Sequence, residues 1–171
     1  MMKNYKYEYR AATISDLEAI WAKDITDNLG DDRWVRWRTE YINYNRSGMA
    51  KTFVVVCNDI PVGQGTLLFS PECKAVSGRT QLADGHSTAN INALRIEKDH
   101  EGKGHISAMV RLMEKYAADN GYTTLTIGVE RDESRNRAIY EHWGYCDLLF
   151  ECDEDGDDVL YYAKRCEKND R

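Results

Sequence analysis

Residues 90–121 read NINALRIEKDHEGKGHISAMVRLMEKYAADNG. Ile91, Ala93, Leu94 and Ile96 form a short apolar run suited to a buried or half-buried strand, after which Glu97 to Glu101 turn polar. Gly102 and Gly104 flank Lys103, and from Ile106 onward apolar residues recur at Met109, Val110, Met113 and Ala117. Leu112 and Tyr116 widen that stripe, so the spacing predicts a core-facing helix, closed by Asn120 and Gly121. Strand, glycine turn and helix follow one another without a linker.

Glycine takes positive φ and lets the backbone come close to another group, while the first turn of a helix points unpaired N–H donors outward. The helix dipole favours an anion there by about 0.3–1 kcal/mol at exposed sites, and Lys103 adds a cation. A phosphate or pyrophosphate is the ligand such a turn suits. The same residues also describe an ordinary strand-to-helix turn, because a lone G-x-G is a weak signal and the Walker pattern is absent.

Residues 123–145 read TTLTIGVERDESRNRAIYEHWGY, a second strand and helix ending in Trp143-Gly144-Tyr145. Together the two stretches resemble the GNAT superfamily of acyl-CoA-dependent N-acyltransferases. Its usual pattern is an apolar strand, R/Q-x-x-G-x-G/A opening a helix, a further strand, and N-x-x-A-x-x-x-Y-x-x-x-G-F/Y. Glu101-x-x-Gly104-x-Ile106 falls on the first motif and Tyr140-x-x-x-Gly144-Tyr145 on the end of the second. Glu101 stands where Arg or Gln is usual, Ile106 where Gly or Ala is usual, and Glu133 where Asn is usual, with Asn136 one turn later.

The resemblance implies an α/β (α+β) fold, a mixed and twisted sheet of about seven strands with helices on both faces. It implies acetyl-CoA as co-substrate. The strand Asn92 to Ile96, with Leu94, Arg95 and Ile96 as its cofactor contacts, would pair its backbone with the pantetheine arm, and Glu101, Gly102, Lys103, Gly104, His105, Ile106 and Ser107 would cradle the pyrophosphate. Asn136 would be a further cofactor contact. Tyr140 would donate the proton to the departing thiolate. Ala138, Ile139 and Trp143 can supply that helix's core contacts, so packing alone does not demand a Tyr at 140. Asp84, His86, Glu97 and Glu130 are candidate bases, and Asn90 and Asn92 could hold a water. The acceptor would be a primary amine of a small molecule or a peptide. A catalytically silent acyl-CoA sensor or interaction module is the competing function, and the oligomeric state, monomer or homodimer, stays open.

A chain of 171 residues is expected to form one domain, residues 1–171. Hydrophobic residues at 42% and charged residues at 30% describe an ordinary globule, and a net charge of -6 argues against nucleic acid as a partner. Cys57, Cys73, Cys146, Cys152 and Cys166 show no C-x-x-C spacing, so neither a disulfide framework nor a metal site is indicated. The start MMKNYKYEYR lacks an apolar signal core and no run is long enough to span a bilayer, so a cytoplasmic protein without membrane contact is expected.

Tyr5, Tyr7 and Tyr9 alternate with the period of a strand carrying one aromatic face. Ser15 and Glu18 read as a capping box for a helix through Leu17, Ile20, Trp21 and Ile25. Trp34, Trp37 and Tyr41 mark a second helix after Gly30, facing either the sheet or an acceptor pocket. Thr52 to Cys57 and Val62 to Phe69 form a hairpin about Asn58-Asp59, with Gly63 and Gly65 signalling a bulge or a close approach of another backbone. Ser70 to Ser87 is the loop before the central strand. Asp147 to Cys152 and Val159 to Ala163 are two further strands, joined by an acidic turn that matches only the early part of a calcium loop. Glu167 to Arg171 is expected to fray.

Overall fold

The computed structural model describes residues 4–166. In chain order its elements are β1 (Tyr7–Ala11), α1 (Ile14–Asp27), α2 (Arg33–Ser47), β2 (Ala50–Cys57), β3 (Ile60–Leu68), β4 (Thr88–Ile96), a 3-10 turn (Lys98–His100), α3 (His105–Asp119), β5 (Thr124–Glu130), α4 (Ser134–His142), β6 (Asp147–Glu154) and β7 (Asp157–Arg165). The strands form one seven-stranded sheet in the order β1-β2-β3-β4-β5-β7-β6. It is mixed, because β4 pairs with β5 in parallel while β5 with β7 and β6 with β7 are antiparallel. The expected fold class is therefore the observed one. The expectation for the last five residues lies outside the described residues.

The chain gathers into two compact units, Met1–Leu67 with Ala93–Met113, and Leu68–Asn92 with Glu114–Arg171. In the first, Leu17 and Trp21 of α1, Phe53 and Val54 of β2, and Met109 and Met113 of α3 are buried. The apolar period read from the sequence is thus the covered stripe of α3. Asn58 and Asp59 both take positive φ (48° and 69°), the twist a two-residue hairpin needs, so β2 and β3 turn where expected. The cap of α1 differs from expectation. Thr13, extended at φ -83° and ψ 165°, accepts from the Asp16 N–H, and Asp16 accepts from the Thr13 N–H. The box therefore sits two residues ahead of Ser15 and Glu18. Asp16 gains a second tie there, an ion pair with Arg10 of β1 at 2.5 Å that Glu18 does not make.

In the second unit Leu125, Ile127 and Val129 of β5, Leu160 of β7 and Ala117 of α3 are buried. The β6–β7 connection turns on Asp155 and Gly156, both at positive φ, so the acidic stretch is a hairpin tip. The five cysteines are free thiols. Among the described residues no helix is long and apolar enough to cross a membrane.

Candidate functional site

The glycine turn lies in the first unit, between the 3-10 turn and α3. Gly102 and Gly104 take φ +74° and +80°, which other residues rarely adopt, and a Cβ at either would meet nothing within 4 Å. Both glycines, with Glu101 and Lys103, are exposed. Ala108 N–H donates to the Gly104 carbonyl at 3.0 Å, opening the helical ladder. Among the described residues no hydrogen bond takes up the N–H groups of Gly102 through Ser107. Six consecutive backbone donors at a helix start, with room beside the glycines, form a place for an oxyanion.

Two cations flank it. Lys103 Nζ lies 5.6 Å from the Tyr5 ring centroid, and Arg111, one turn beyond Ser107 in α3, donates to Ser107 Oγ at 2.8 Å. Sequence reasoning missed Arg111, though its i,i+4 spacing from Ser107 was the signal. His105, the first residue of α3, is buried instead of facing the turn's open side; its Nδ1 is 2.7 Å from the Tyr9 hydroxyl. Burial, with His100 and Lys103 nearby, pushes its pKa below the ordinary imidazole value. Ile106 and Ser107 are half-buried.

Strand β4 leads into this turn. Its register with β5 runs from Thr88↔Thr124 to Ile91↔Ile127. Ala93 then takes φ +51°, a left-handed residue inside a strand, which breaks the pleat just before Leu94, Arg95 and Ile96. Nothing in the sequence signalled that kink, since Ala is not the residue that ordinarily marks one. The close approach of another backbone expected at Gly63 and Gly65 is present at Gly63, whereas Gly65 makes room for side chains. A Cβ on Gly63 would lie 3.1 Å from the Arg95 carbonyl oxygen, and one on Gly65 would lie 2.8 Å from Leu94 Cδ1.

The Arg95 side chain goes elsewhere. Its guanidinium sits 4.5 Å from the Trp21 ring and 5.0 Å from the Trp34 ring, and it pairs with Asp24 at 2.6 Å. Burial lowers the Arg95 pKa and raises that of Asp24, while each opposes the shift of the other. The aromatic residues of α1 and α2 thus flank a half-buried cation, and Arg95 has only its backbone to offer a cofactor.

In the second unit α4 carries Tyr140, half-buried, its ring 5.6 Å from that of Trp143. Among the described residues its hydroxyl has no hydrogen-bond partner. Burial and the charge of Glu133 push its pKa up to about 12, so the phenol stays protonated at neutral pH. Tyr145 contrasts with it: buried at 1% exposure, it donates to Glu114 at 3.1 Å, and Glu114 also accepts from Lys164 at 2.6 Å. Of the two tyrosines in the motif, one is engaged in the core and one has a hydroxyl with no partner among the described residues. Asn136 is exposed, donating to the Glu133 carboxylate at 3.3 Å.

The base candidates divide. Asp84 accepts from the N–H groups of His86, Ser87 and Thr88 and from Ser87 Oγ, which holds its carboxyl well below the usual range against the opposing effect of burial. It is a loop cap, not a base, because a carboxylate so well solvated by donors has little affinity for a proton. His86 is exposed beside it. Glu130 is raised by its acidic neighbours Asp157, Glu133 and Asp132, together with desolvation. Glu97 lies 3.6 Å from Lys23 in an ion pair of the first unit. Asn90 does not wait for a water, since its amide donates to Thr126 Oγ1 at 3.0 Å and its oxygen accepts from Asn92 at 3.3 Å.

The model of the acetyltransferase (GNAT) family matches residues 15–145. No curated protein matches the chain. Among solved structures, an N-acetyltransferase from Staphylococcus aureus Mu50 superposes with a TM-score of 0.70 at 16% identity, covering 95% of this chain and 99% of the other. An acetyl transferase of Salmonella typhimurium that modifies the N-terminal serine of a 50S ribosomal subunit protein gives a TM-score of 0.66 at 18% identity, with 94% and 95% covered. The YncA protein of Salmonella typhimurium, solved with its cofactor acetyl-CoA, gives a TM-score of 0.67 at 12% identity, with 96% of each chain covered. At such identities these likenesses are of fold.

Proposed function

The chain belongs to the GNAT family of acetyltransferases, and from that premise we propose that it transfers the acetyl group of acetyl-CoA to the primary amine of a small molecule or peptide. Acetyl-CoA supplies the acyl group already activated as a thioester. The observation that carries the reading is the row of six unengaged backbone donors from Gly102 to Ser107 between two cations. Such a row fits a pyrophosphate, because backbone N–H groups fixed before the ligand arrives need no rearrangement to receive it.

In this reading Leu94, Arg95 and Ile96 pair their backbone with the pantetheine arm as if it were an added strand, on the part of β4 past the register with β5. Glu101 to Ser107 hold the pyrophosphate, with Asn136 a further contact. Tyr140 hydrogen-bonds to the leaving sulfur and gives it a proton. A phenol raised by burial remains a competent donor, since the same dry surroundings also disfavour the thiolate it protonates. Peptide amines are an acceptor class on which the ribosomal-protein acetyltransferase of the same fold acts.

Acetyl-CoA should stabilise the protein against heat, by about 2.7 kcal/mol at a hundredfold excess over its dissociation constant. Desulfo-CoA should do the same, because the cradle does not contact the sulfur. Absence of any midpoint shift with either ligand at low salt removes the cofactor assignment. Stabilisation without thiol release across an amine panel instead supports a silent acyl-CoA-binding module.

Gly104→Val tests the cradle. A Cβ at this position meets no atom, so the penalty comes from φ +80°, which a β-branched residue tolerates at a cost of about 1–3 kcal/mol or escapes by moving the turn. The Michaelis constant for acetyl-CoA should rise roughly tenfold, equivalent to about 1.4 kcal/mol, with the protein still folded. Unaltered acetyl-CoA kinetics make this an ordinary turn.

A further inference from the structure

The exposed turn has little packing of its own, yet both of its ends are tied to the same strand. His100, the last residue of the 3-10 turn, has Nδ1 2.8 Å from the Tyr7 hydroxyl. His105, the first residue of α3, has Nδ1 2.7 Å from the Tyr9 hydroxyl, and its ring stacks on that of Tyr7 at 3.9 Å between centroids and 30° between planes. Tyr7 and Tyr9 stand on one face of β1, which pairs with β2 in register Tyr7↔Cys57 and Tyr9↔Val55. Between the two imidazoles lie only Glu101 to Gly104, all exposed.

We propose that His100 and His105 are positioning residues, which hydrogen-bond to Tyr7 and Tyr9 and thereby hold the backbone donors of the pyrophosphate turn in place on β1. The proposal rests on the cofactor reading above and adds to it the device that orients the cradle. Donors help an anion only if their directions are set beforehand, and glycines at positive φ on an exposed turn do not set them unaided.

The chemistry of His105 suits a fixed hinge. It is 7% exposed and its Nε2 is buried without a hydrogen-bond partner among the described residues. A buried donor without an acceptor costs more than a buried acceptor without a donor. The tautomer that fits therefore carries its proton on Nδ1 and donates to the Tyr9 oxygen. The positively charged form is disfavoured, since it adds a buried Nε2–H with no acceptor, beside His100 and Lys103.

Tyr9→Phe removes one oxygen and leaves the ring. It should raise the Michaelis constant for acetyl-CoA about two- to tenfold, the worth of one hydrogen bond, while kcat at saturation stays within about twofold. Tyr7→Phe should act in the same direction. His105→Leu should raise the constant further, and combining it with Tyr9→Phe should add nothing, because both remove one interaction. A cofactor-independent readout comes from nitrogen NMR of the unliganded protein. The His105 ring shifts should report a single tautomer that Tyr9→Phe abolishes, and the amide signals of Gly102 to Ser107 should move with it. Unmoved amides, or fully additive effects of the two substitutions, overturn the positioning role. Wild-type protein that shows the tautomer and the coupled amides but binds no acetyl-CoA overturns the cofactor reading instead.

Discussion

Tyr140→Phe should lower turnover with acetyl-CoA by roughly 10² to 10⁴ while leaving acetyl-CoA binding nearly unchanged. The expectation follows from a contrast within one motif. Tyr145 is buried with its hydroxyl bonded to Glu114, so a phenylalanine there would remove one of the two donors to that carboxylate and act on stability. Tyr140 is half-buried and its hydroxyl has no partner among the described residues, so a phenylalanine there removes no bond from the folded protein. The ring remains against Trp143. A loss of rate without a loss of stability would therefore locate the hydroxyl in the reaction. The effect should shrink with an acyl donor whose thiol is more acidic, because such a leaving group departs without needing a proton. Turnover within about threefold of wild type, where chemistry limits the rate, would return Tyr140 to a packing role.

Arg95→Leu should act in the opposite way, lowering unfolding free energy by about 2–4 kcal/mol. Leucine keeps apolar bulk against Trp21 and Trp34 but removes the cation beside them and leaves the half-buried Asp24 without that partner. Cation–π contacts of this kind contribute about 0.5–2 kcal/mol, and the unpaired carboxylate supplies the remainder. The loss should depend on pH. Asp24 already has its pKa raised above the ordinary 3.8 by burial, and losing Arg95 raises it further. A carboxyl that binds its proton more tightly when folded adds stability below its unfolded pKa and loses it as pH rises through the folded value. The variant should therefore be closer to wild type at about pH 4 than at about pH 7. Denaturant titration at the two pH values checks this. A loss that is equal at both, or below about 0.5 kcal/mol, would show that the Arg95–Asp24 pair contributes little.

Much of this arrangement was legible in the chain because local periods and local turn chemistry are written in adjacent residues. The stripe of Met109, Val110, Met113 and Ala117 is the buried face of α3, and Asn58-Asp59 is the hairpin tip. The acidic stretch at Asp155-Gly156 is a turn for the same reason. Errors arose where one residue type serves two purposes. Ser15 with Glu18 has the composition of a capping box, but Thr13 with Asp16 has it too, and the latter gains Arg10 from the neighbouring strand. Asp84 beside His86 has the composition of a relay, yet backbone donors reach the carboxylate first.

By itself the sequence determined the order of strands and helices, the glycine turn before α3, and the family to which the chain belongs, since each rests on residues close together in the chain. Only the tertiary structure decided which side chains are engaged and which are free. Tyr9 and His105 are 96 positions apart, and Tyr7 and His100 are 93 apart, so no periodicity connects them. The positive φ of Ala93 is likewise imposed from outside, because alanine has no local preference for a left-handed kink and accepts one only when the strands around it demand it. The same holds for Arg95, whose backbone was readable as part of a strand while its side chain was placed by Trp21, Trp34 and Asp24 of α1 and α2. A charge reaches the interior only where distant groups converge to compensate its desolvation, and that convergence is a property of the folded chain.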